Sequence, residues 1–370
     1  MNSRNLMFFL FNLFMFTLFF LSSEVGAYDL NDKLTIEGSL SGVYQYGSFD
    51  DKNANDTGRG SSILDLGVCF HPTEKDEFFI LMSYAAGNGL NEVSPFVLSP
   101  YADDLEDDLK NINGRNRDYL LEAWYKHRFN LSNDTSIGFT GGIIDATRYI
   151  DDNNFANCEN TQFMNDVFVN NPVANIPSYD IGGVAEVEYK NLSAKLLMMN
   201  SKNEESKNYN YYAIQLGYEL ETPIGEGNYR IYGFITNNRF NDWKNTRLKS
   251  LEGIGFSADQ KISEIVGLFL RTGWQDDDAK VDYNSVYSLG ANINGKLWGR
   301  ECDEIGIGYA YLNGPDKSDI DNTNVLETYV KFKLTKFSDI TLDLQYIRDK
   351  ITHENDNEGF IYGIRLVANF

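Results

Sequence analysis

The sequence predicts an all-β protein, a transmembrane antiparallel β-barrel of about 16 strands. Three observations carry this. Short runs alternate apolar and polar residues along most of the chain. The connections between those runs alternate short and long. The chain ends on an alternating run whose last residue is Phe370.

The N-terminal stretch MNSRNLMFFLFNLFMFTLFFLSSEVGA reads as a secretory signal. Arg4 is its basic head, Leu6–Leu21 its apolar stretch, and Val25-Gly26-Ala27 a small-residue cleavage site. Asn12 and Thr17 interrupt the apolar stretch, which falls short of the roughly 20 residues a spanning helix needs. Residues 28–370 are then expected to form one barrel domain. Aromatics make up 14% of the chain, mostly Tyr and Phe, and only 7 residues are Pro, which suits strands. The mean hydropathy of −0.38 resembles that of a soluble protein. A membrane barrel produces the same value, because only every second residue meets lipid.

The strands follow in order. In LTIEGSLSGVYQYG, Leu34, Ile36, Leu40, Tyr44 and Tyr46 oppose Thr35, Glu37, Ser39, Ser41 and Gln45. In YLLEAWYKHRF, Glu122, Trp124, Lys126 and Arg128 share the face opposite Leu121, Ala123, Tyr125 and Phe129. In YYAIQLGYEL, Tyr212, Ile214, Leu216 and Tyr218 oppose Ala213, Gln215 and Glu219. In IVGLFLRTGW, Leu268, Leu270 and Trp274 oppose Phe269 and Arg271. In VLETYVKFKL, Leu326, Val330 and Phe332 oppose Glu327, Tyr329, Lys331 and Lys333. In DITLDLQYI, Ile340, Leu342, Leu344 and Tyr346 oppose Thr341, Asp343 and Gln345. In the closing GFIYGIRLVANF, Phe360, Tyr362, Ile364, Leu366, Ala368 and Phe370 oppose Gly363, Arg365 and Asn369. Side chains alternate faces along a strand, so each run has one lipid face and one water face. A midplane Arg or Lys facing lipid would cost about 2–4 kcal/mol, so the charged face lines water. The candidate wall residues of that water-filled bore are Glu122, Trp124, Lys126, Arg128, Arg271, Glu327, Lys331, Lys333, Asp343 and Arg365.

Short connections include HPTEKDE, NLSNDT, YKN, TPIGEGN, KISE, GRECDE and TKFSD. Longer ones span 47–60, 85–118, 145–178, 201–210, 238–249, 276–283, 313–324 and 349–357. That asymmetry is the one that outer-membrane barrels show, with the short side periplasmic. Several long connections hold the acidic clusters behind the net charge of −22, among them the run Asp103–Asp108. Such a chain is a poor partner for nucleic acid.

Cys69, Cys158 and Cys302 are an odd number, and no two sit at metal-ligand spacing, so neither a disulfide framework, a metal nor a cofactor is expected. His71, His127 and His353 are the only histidines, and none stands with a Ser or Asp in a catalytic pattern. An enzyme is therefore not expected. A surface adhesin or receptor barrel using the acidic loops remains an alternative to a channel.

One connection breaks the pattern. Residues 145–178 contain DDNNFANCENTQFMNDVFVNNP, an Asn- and Asp-rich stretch with a small apolar cluster. Phe163/Val167 and Met164/Phe168 are spaced i, i+4, so Thr161–Val169 can form a short helix with one apolar side. Asn160 or Thr161 can cap its start, and Pro172 lies just past its end. A barrel of this size encloses water. A loop lying inside it, apolar side on the wall, would narrow the opening; a solvated external loop is the alternative that the residues leave open. Arg148, Asp151, Asp152, Glu159, Gln162 and Asn165 are then the candidate solute-contact residues, with Asn157 and Asp166 beside them. Arg148 next to Asp151 and Asp152 would set a transverse field at the narrowest point.

The run GGIIDATRYIDDNNFANCENTQFMNDVFVNNP resembles the signature segment of the OprB-type carbohydrate-selective porins of Gram-negative outer membranes. The Gly-x-x-Asp opening, Phe-Ala-Asn, Thr-Gln-Phe-Met-Asn and Phe-Val-Asn-Asn-Pro carry the likeness. GLFLRTGW, LETYVKFKLT and DITLDLQYI extend it, from about residue 119 to 370. The resemblance implies a 16-strand barrel with an inward constriction loop that passes sugars and other small hydrophilic solutes by diffusion. The barrel would sit in outer-membrane lipid as a monomer or homotrimer. A general or ion-selective porin without sugar preference is the alternative within the same fold. Ile143 stands where the family often has Lys, which removes one expected charge near the pore.

Overall fold

The computed structural model describes residues 28–50, 54–103, 109–203, 205–353 and 355–370. The secretory signal expected over residues 1–27 lies outside them, as do most of the acidic residues between 103 and 108.

Sixteen wall strands run in chain order: β1 (Leu34–Asp50), β2 (Thr57–Thr73), β3 (Asp76–Ala86), β4 (Leu120–Ser132), β5 (Thr135–Ile144), β6 (Asp180–Tyr189), β7 (Leu192–Lys202) and β8 (Asn208–Thr222). β9 (Gly225–Thr236), β10 (Glu252–Lys261), β11 (Val266–Gln275), β12 (Ser285–Asn294), β13 (Glu304–Asn313), β14 (Ile320–Lys333), β15 (Ser338–Ile351) and β16 (Asn357–Asn369) complete them. Each pairs antiparallel with its neighbours in sequence, and β16 pairs with β1 from Glu358↔Asp50 to Asn369↔Ser39. The sheet therefore closes, and closure leaves no unpaired edge for lipid to meet. A short strand, Tyr28–Asn31, pairs with the start of β1.

The closing joint between β16 and β1 continues to Phe370. Phe370 N–H donates to the Gly38 carbonyl, and Gly38 N–H donates back to Phe370. The Phe370 ring lies on Gly38 so closely that a Cβ there would be 2.4 Å from it. Only glycine admits the ring at that contact.

Alternation sorts most of the faces as expected, but Leu366 and Ala368 near the end of β16, expected to face lipid, are buried. Tyr212, Ile214, Leu216 and Tyr218 are exposed outward on β8, while Ala213 and Gln215 are buried inward. The outward face carries an aromatic belt at its short-turn end. Phe70 and Phe78 lie 6.2 Å apart, Phe78 and Tyr125 4.7 Å, and Phe129 and Phe139 6.3 Å. Toward the long-loop end, Trp274 and Tyr287, and Tyr346 and Phe360, pair in the same manner. Two such belts at the membrane boundaries flank an apolar band in barrels of this kind.

The connections alternate as expected, with one correction. GRECDE is not a tight turn. The connection 295–303 contains a 3-10 turn, Gly295–Trp298, because the Asn294 side chain accepts from the Lys296 N–H at 2.9 Å and nucleates it. Leu121, expected to face lipid, is buried with Leu109 and Ile112 beneath the 87–119 connection.

Candidate functional site

The 145–179 connection joins β5 and β6 and lies against the inner wall. The Asp145 side chain accepts from Thr147 N–H at 3.0 Å and starts a 3-10 turn, Ala146–Arg148. That turn presents Arg148 to the wall. Its guanidinium donates to Glu122 at 2.6 and 2.8 Å and lies 5.2 Å over the Phe79 ring. Phe79 packs on Trp124 at 5.2 Å, and the Trp124 indole N–H donates to the other Glu122 oxygen at 3.0 Å. Arg148 does not pair with Asp151 or Asp152. The transverse arrangement runs from Arg148 to Glu122 on β4, because the loop's first turn faces that strand.

Asp151 is buried. Its carboxylate meets Arg271 at 2.8 Å and accepts from Asn171 N–H at 2.9 Å. Arg271 also donates to the carbonyls of Asp151, Ala156 and Phe168. One guanidinium thus fastens both limbs of the loop, using donors that no other side chain could aim in a single fork. Asp151 has φ 68, a left-handed conformation that Asp tolerates better than most residues. Asp152 is half-buried and pairs with Arg230 at 2.8 Å, a partner absent from the sequence-based candidates.

The expected helix over Thr161–Val169 is shorter. A single helical turn covers Asp166–Val169, capped by Asn165, whose side chain accepts from Val167 N–H. Neither Asn160 nor Thr161 caps it. Asn165 is fully buried and is not a solute contact. Its amide donates to Gln345 at 3.0 Å, while its backbone N–H and that of Met164 donate to Glu327. The apolar residues still do what their spacing suggested. Phe163 stacks on Phe168 at 4.8 Å, meets Phe269 at 5.5 Å and Tyr329 at 5.0 Å. Burying each such ring stabilises by about 1.5–3 kcal/mol. Gly308 on β13 makes room: a Cβ there would lie 2.7 Å from Phe168.

Arg365 and Lys331 complete the clasp. Arg365 donates to the Glu159 and Gln162 carbonyls and to the Thr341 hydroxyl. Lys331 donates to the Thr161 carbonyl at 3.1 Å and pairs with Glu304. Asp343 is buried and accepts from Gln345. Gln162 and Glu159 are half-buried, and the Gln162 side chain accepts from Asn157 N–H and donates to the Asn154 carbonyl. Of the candidate residues, Asp151, Asn165, Glu122, Arg271, Glu327, Asp343 and Arg365 are therefore buried, tying loop to wall or holding partners that do. Strand parity distinguishes inside from outside. It does not distinguish wall left wet from wall covered by a loop.

Three candidates lie away from the loop. Lys126 pairs with Glu186, Arg128 with Glu188 and Lys333 with Asp339, all toward the short-turn end. A cavity of about 700 Å³ opens there, lined by Arg128, Ser136, Glu188 and Lys190. Another of about 670 Å³ lies on the long-loop side, lined by Asp166, Asn175, Tyr209 and Tyr283.

Sequence reasoning missed that the connection after β3 also runs inward over residues 87–103. Leu90, Phe96, Leu98 and Tyr101 are buried inside the barrel, and Ala102 N–H donates to Met164 while Asp166 N–H donates to Ser99. It also missed the inward glutamines. Gln45 and Gln345 both donate to the Pro100 carbonyl, and Gln215 donates to the Tyr149 carbonyl. A glutamine amid aromatics on an inward row was the available signal. Ile143 pairs with the exposed Ile181 on the outward face, so the Lys it replaces leaves no gap inside.

Comparison with known proteins agrees with this architecture. Residues 107–370 match the family model of carbohydrate-selective porins, OprB family. An uncharacterized protein of Aquifex aeolicus (strain VF5) is 33% identical over 296 residues, 79% of this chain and 85% of that one. The high-pH structure of Pseudomonas putida OprB aligns with a TM-score of 0.73 at 14% identity, covering 91% of this chain and 94% of that one. The DcaP channel of Acinetobacter baumannii aligns with a TM-score of 0.51 at 11% identity, covering 94% and 100%. A closed barrel with an inward loop and the matched family model together mean that the chain belongs to the OprB family of carbohydrate-selective porins and forms a channel for small solutes in the Gram-negative outer membrane.

Proposed function

We infer that the channel favours neutral sugars over ions, and that Arg148, Glu122, Trp124 and Phe79 form the ledge that selects them. The observation behind this reading is the pairing of charge inside the bore. Arg148, Lys126, Arg128, Lys331, Lys333 and Arg271 each meet a carboxylate. Paired charges weaken the long-range field that attracts an ion but keep their hydrogen-bonding capacity.

Arg148 is the most open of these, with 45% of its side chain exposed. Trp124 beside it is half-buried. A pyranose has an apolar C–H face and a rim of hydroxyls. The face suits the Trp124 ring, and the rim suits the Arg148 guanidinium, which the buried Glu122 holds in place. Asp152, Glu159 and Gln162 extend the polar lining on the loop side. Binding stays weak enough for release, as conduction requires. The barrel acts as a monomer or as a homotrimer within outer-membrane lipid.

Liposome swelling tests this reading. Trp124→Ala should slow hexoses several-fold while leaving a zwitterionic amino acid of similar size little changed. An equal change for both solutes would reduce the ledge to a size filter and favour a general porin.

A further inference from the structure

The turn at 74–75 brings Glu77 beside Cys69 and His71. Cys69 and His71 lie two residues apart on the inward row of β2, and Glu77 lies at the start of β3. The Cys69 Sγ is 3.8 Å from His71 Nε2 and 3.6 Å from Glu77 Oε1, and Nε2 is 3.9 Å from the same oxygen. Glu37 lies across from Gly67, the preceding inward position of β2, with its carboxylate close over that glycine. Cys69, His71 and Glu77 are the one group of three or more such donors among the described residues whose ligand atoms lie within 4.8 Å of one another.

A tetrahedral zinc-type ion with bonds of about 2.3 Å to sulfur and about 2.0–2.2 Å to nitrogen and oxygen spaces its ligands about 3.4–3.6 Å apart. The three gaps here exceed that spacing by about 0.5 Å at most, which a small side-chain rotation closes. The donor set is thiolate, imidazole and carboxylate. That mixture suits Zn²⁺ and its borderline neighbours, and it is wrong for Mg²⁺ or Ca²⁺, which take oxygen ligands. The fourth position faces Glu37 or water. Access is open, since the His71 side chain is 49% exposed. No such site follows from strand parity, because the third donor returns only through the hairpin.

We propose that Cys69, His71 and Glu77 form a binding site for a transition-metal dication of the zinc class on the bore wall, on the periplasmic side of the constriction. On binding, the Cys69 thiol releases its proton to water and the thiolate bonds to the ion. Glu77 lies two residues from Phe79 on the same inward row, about 7 Å along the strand. Phe79 carries Arg148 over its ring. A bound dication therefore adds positive charge just beneath the ledge, and its occupancy reduces cation current through the channel.

Co²⁺ is the probe, added to the full barrel folded in detergent, on a Cys158→Ser/Cys302→Ser background in which Cys69 is the sole thiol. The expected result is about one equivalent of tetrahedral Co²⁺ with a sulfur-to-cobalt absorption band, displaced by Zn²⁺. Cys69→Ser on that background should abolish the band. His71→Ala, at an exposed side chain, should weaken binding tenfold or more. In bilayer recordings Zn²⁺ should lower cation current in the background protein and leave His71→Ala unaffected. Absence of the cobalt band from the folded background protein would overturn the site, leaving a thiol that merely hydrogen-bonds to its His and Glu neighbours. Equal zinc inhibition of the His71→Ala channel would overturn its effect on current.

Discussion

Arg271 on β11 and Asp151 in the inward loop meet at 2.8 Å, and neither side chain has any exposed surface. The pair joins residues 120 positions apart and lies at the point where the loop's two limbs converge. A buried charge without its partner costs about 3–5 kcal/mol. Arg271→Ala should therefore lower the unfolding midpoint in urea and let the loop leave the wall, so that larger sugars swell liposomes faster. Replacing both residues, Arg271→Met with Asp151→Asn, should recover most of the stability. If Arg271→Ala matched the wild-type channel in both measurements, the pair would not be the loop's anchor.

Phe163 is the centre of the aromatic contact between loop and wall. Phe163→Ala leaves a cavity and should cost about 3–5 kcal/mol. The loss falls on docking of the loop more than on barrel closure, since the strand ladder is untouched. Limited proteolysis of the folded barrel should then cut within residues 145–179, where the wild-type protein resists.

Arg148 and Glu122 should have opposite effects on ion preference. Arg148→Ala removes the exposed partner and leaves the carboxylate beside the bore, so the reversal potential in a salt gradient moves toward cations. Glu122→Gln leaves the guanidinium and should move it toward anions. Shifts in the same direction, or none, would remove this pair from the conducting path.

The cysteines report both burial and topology. Cys302 is exposed in the 295–303 connection on the short-turn side. Cys158 sits in the loop, where burial pushes its thiol up and thins the reactive thiolate. A maleimide should label Cys302 faster than Cys158 at neutral pH, on the order of tenfold or more, with the gap narrowing as pH rises. In intact cells a membrane-impermeant maleimide larger than the pore should leave Cys302 unlabelled, because the short turns face the periplasm. Prompt labelling there would invert the barrel's orientation.

Much of the wall was legible in the sequence. Alternation in YYAIQLGYEL or VLETYVKFKL fixes which side chains meet lipid, because lipid tolerates no charge at every second position. The apolar pairs around Phe163 showed that the 145–179 stretch must pack on something. The helix was misjudged at its start. Asn165 caps it instead of Asn160 or Thr161, since Glu327 takes the Met164 and Asn165 N–H groups and holds that backbone out of a helix. The segment 87–103 hid its role because Leu90, Phe96, Leu98 and Tyr101 follow no regular period.

The sequence by itself determined the barrel, its inward and outward faces and the long and short ends. These are local consequences of a two-residue repeat and of the cost of charge in lipid. Only the tertiary structure decided which inward residues stay wet. Arg148 stays open and Arg271 does not, although parity and loop position offered both, because the loop lies across β11 and only touches β4 with its first turn. The same holds for Cys69, His71 and Glu77, which become neighbours only when the β2–β3 hairpin folds. Distances across a bore depend on how the strands close and where the loops come to rest, and no periodicity along one strand encodes them.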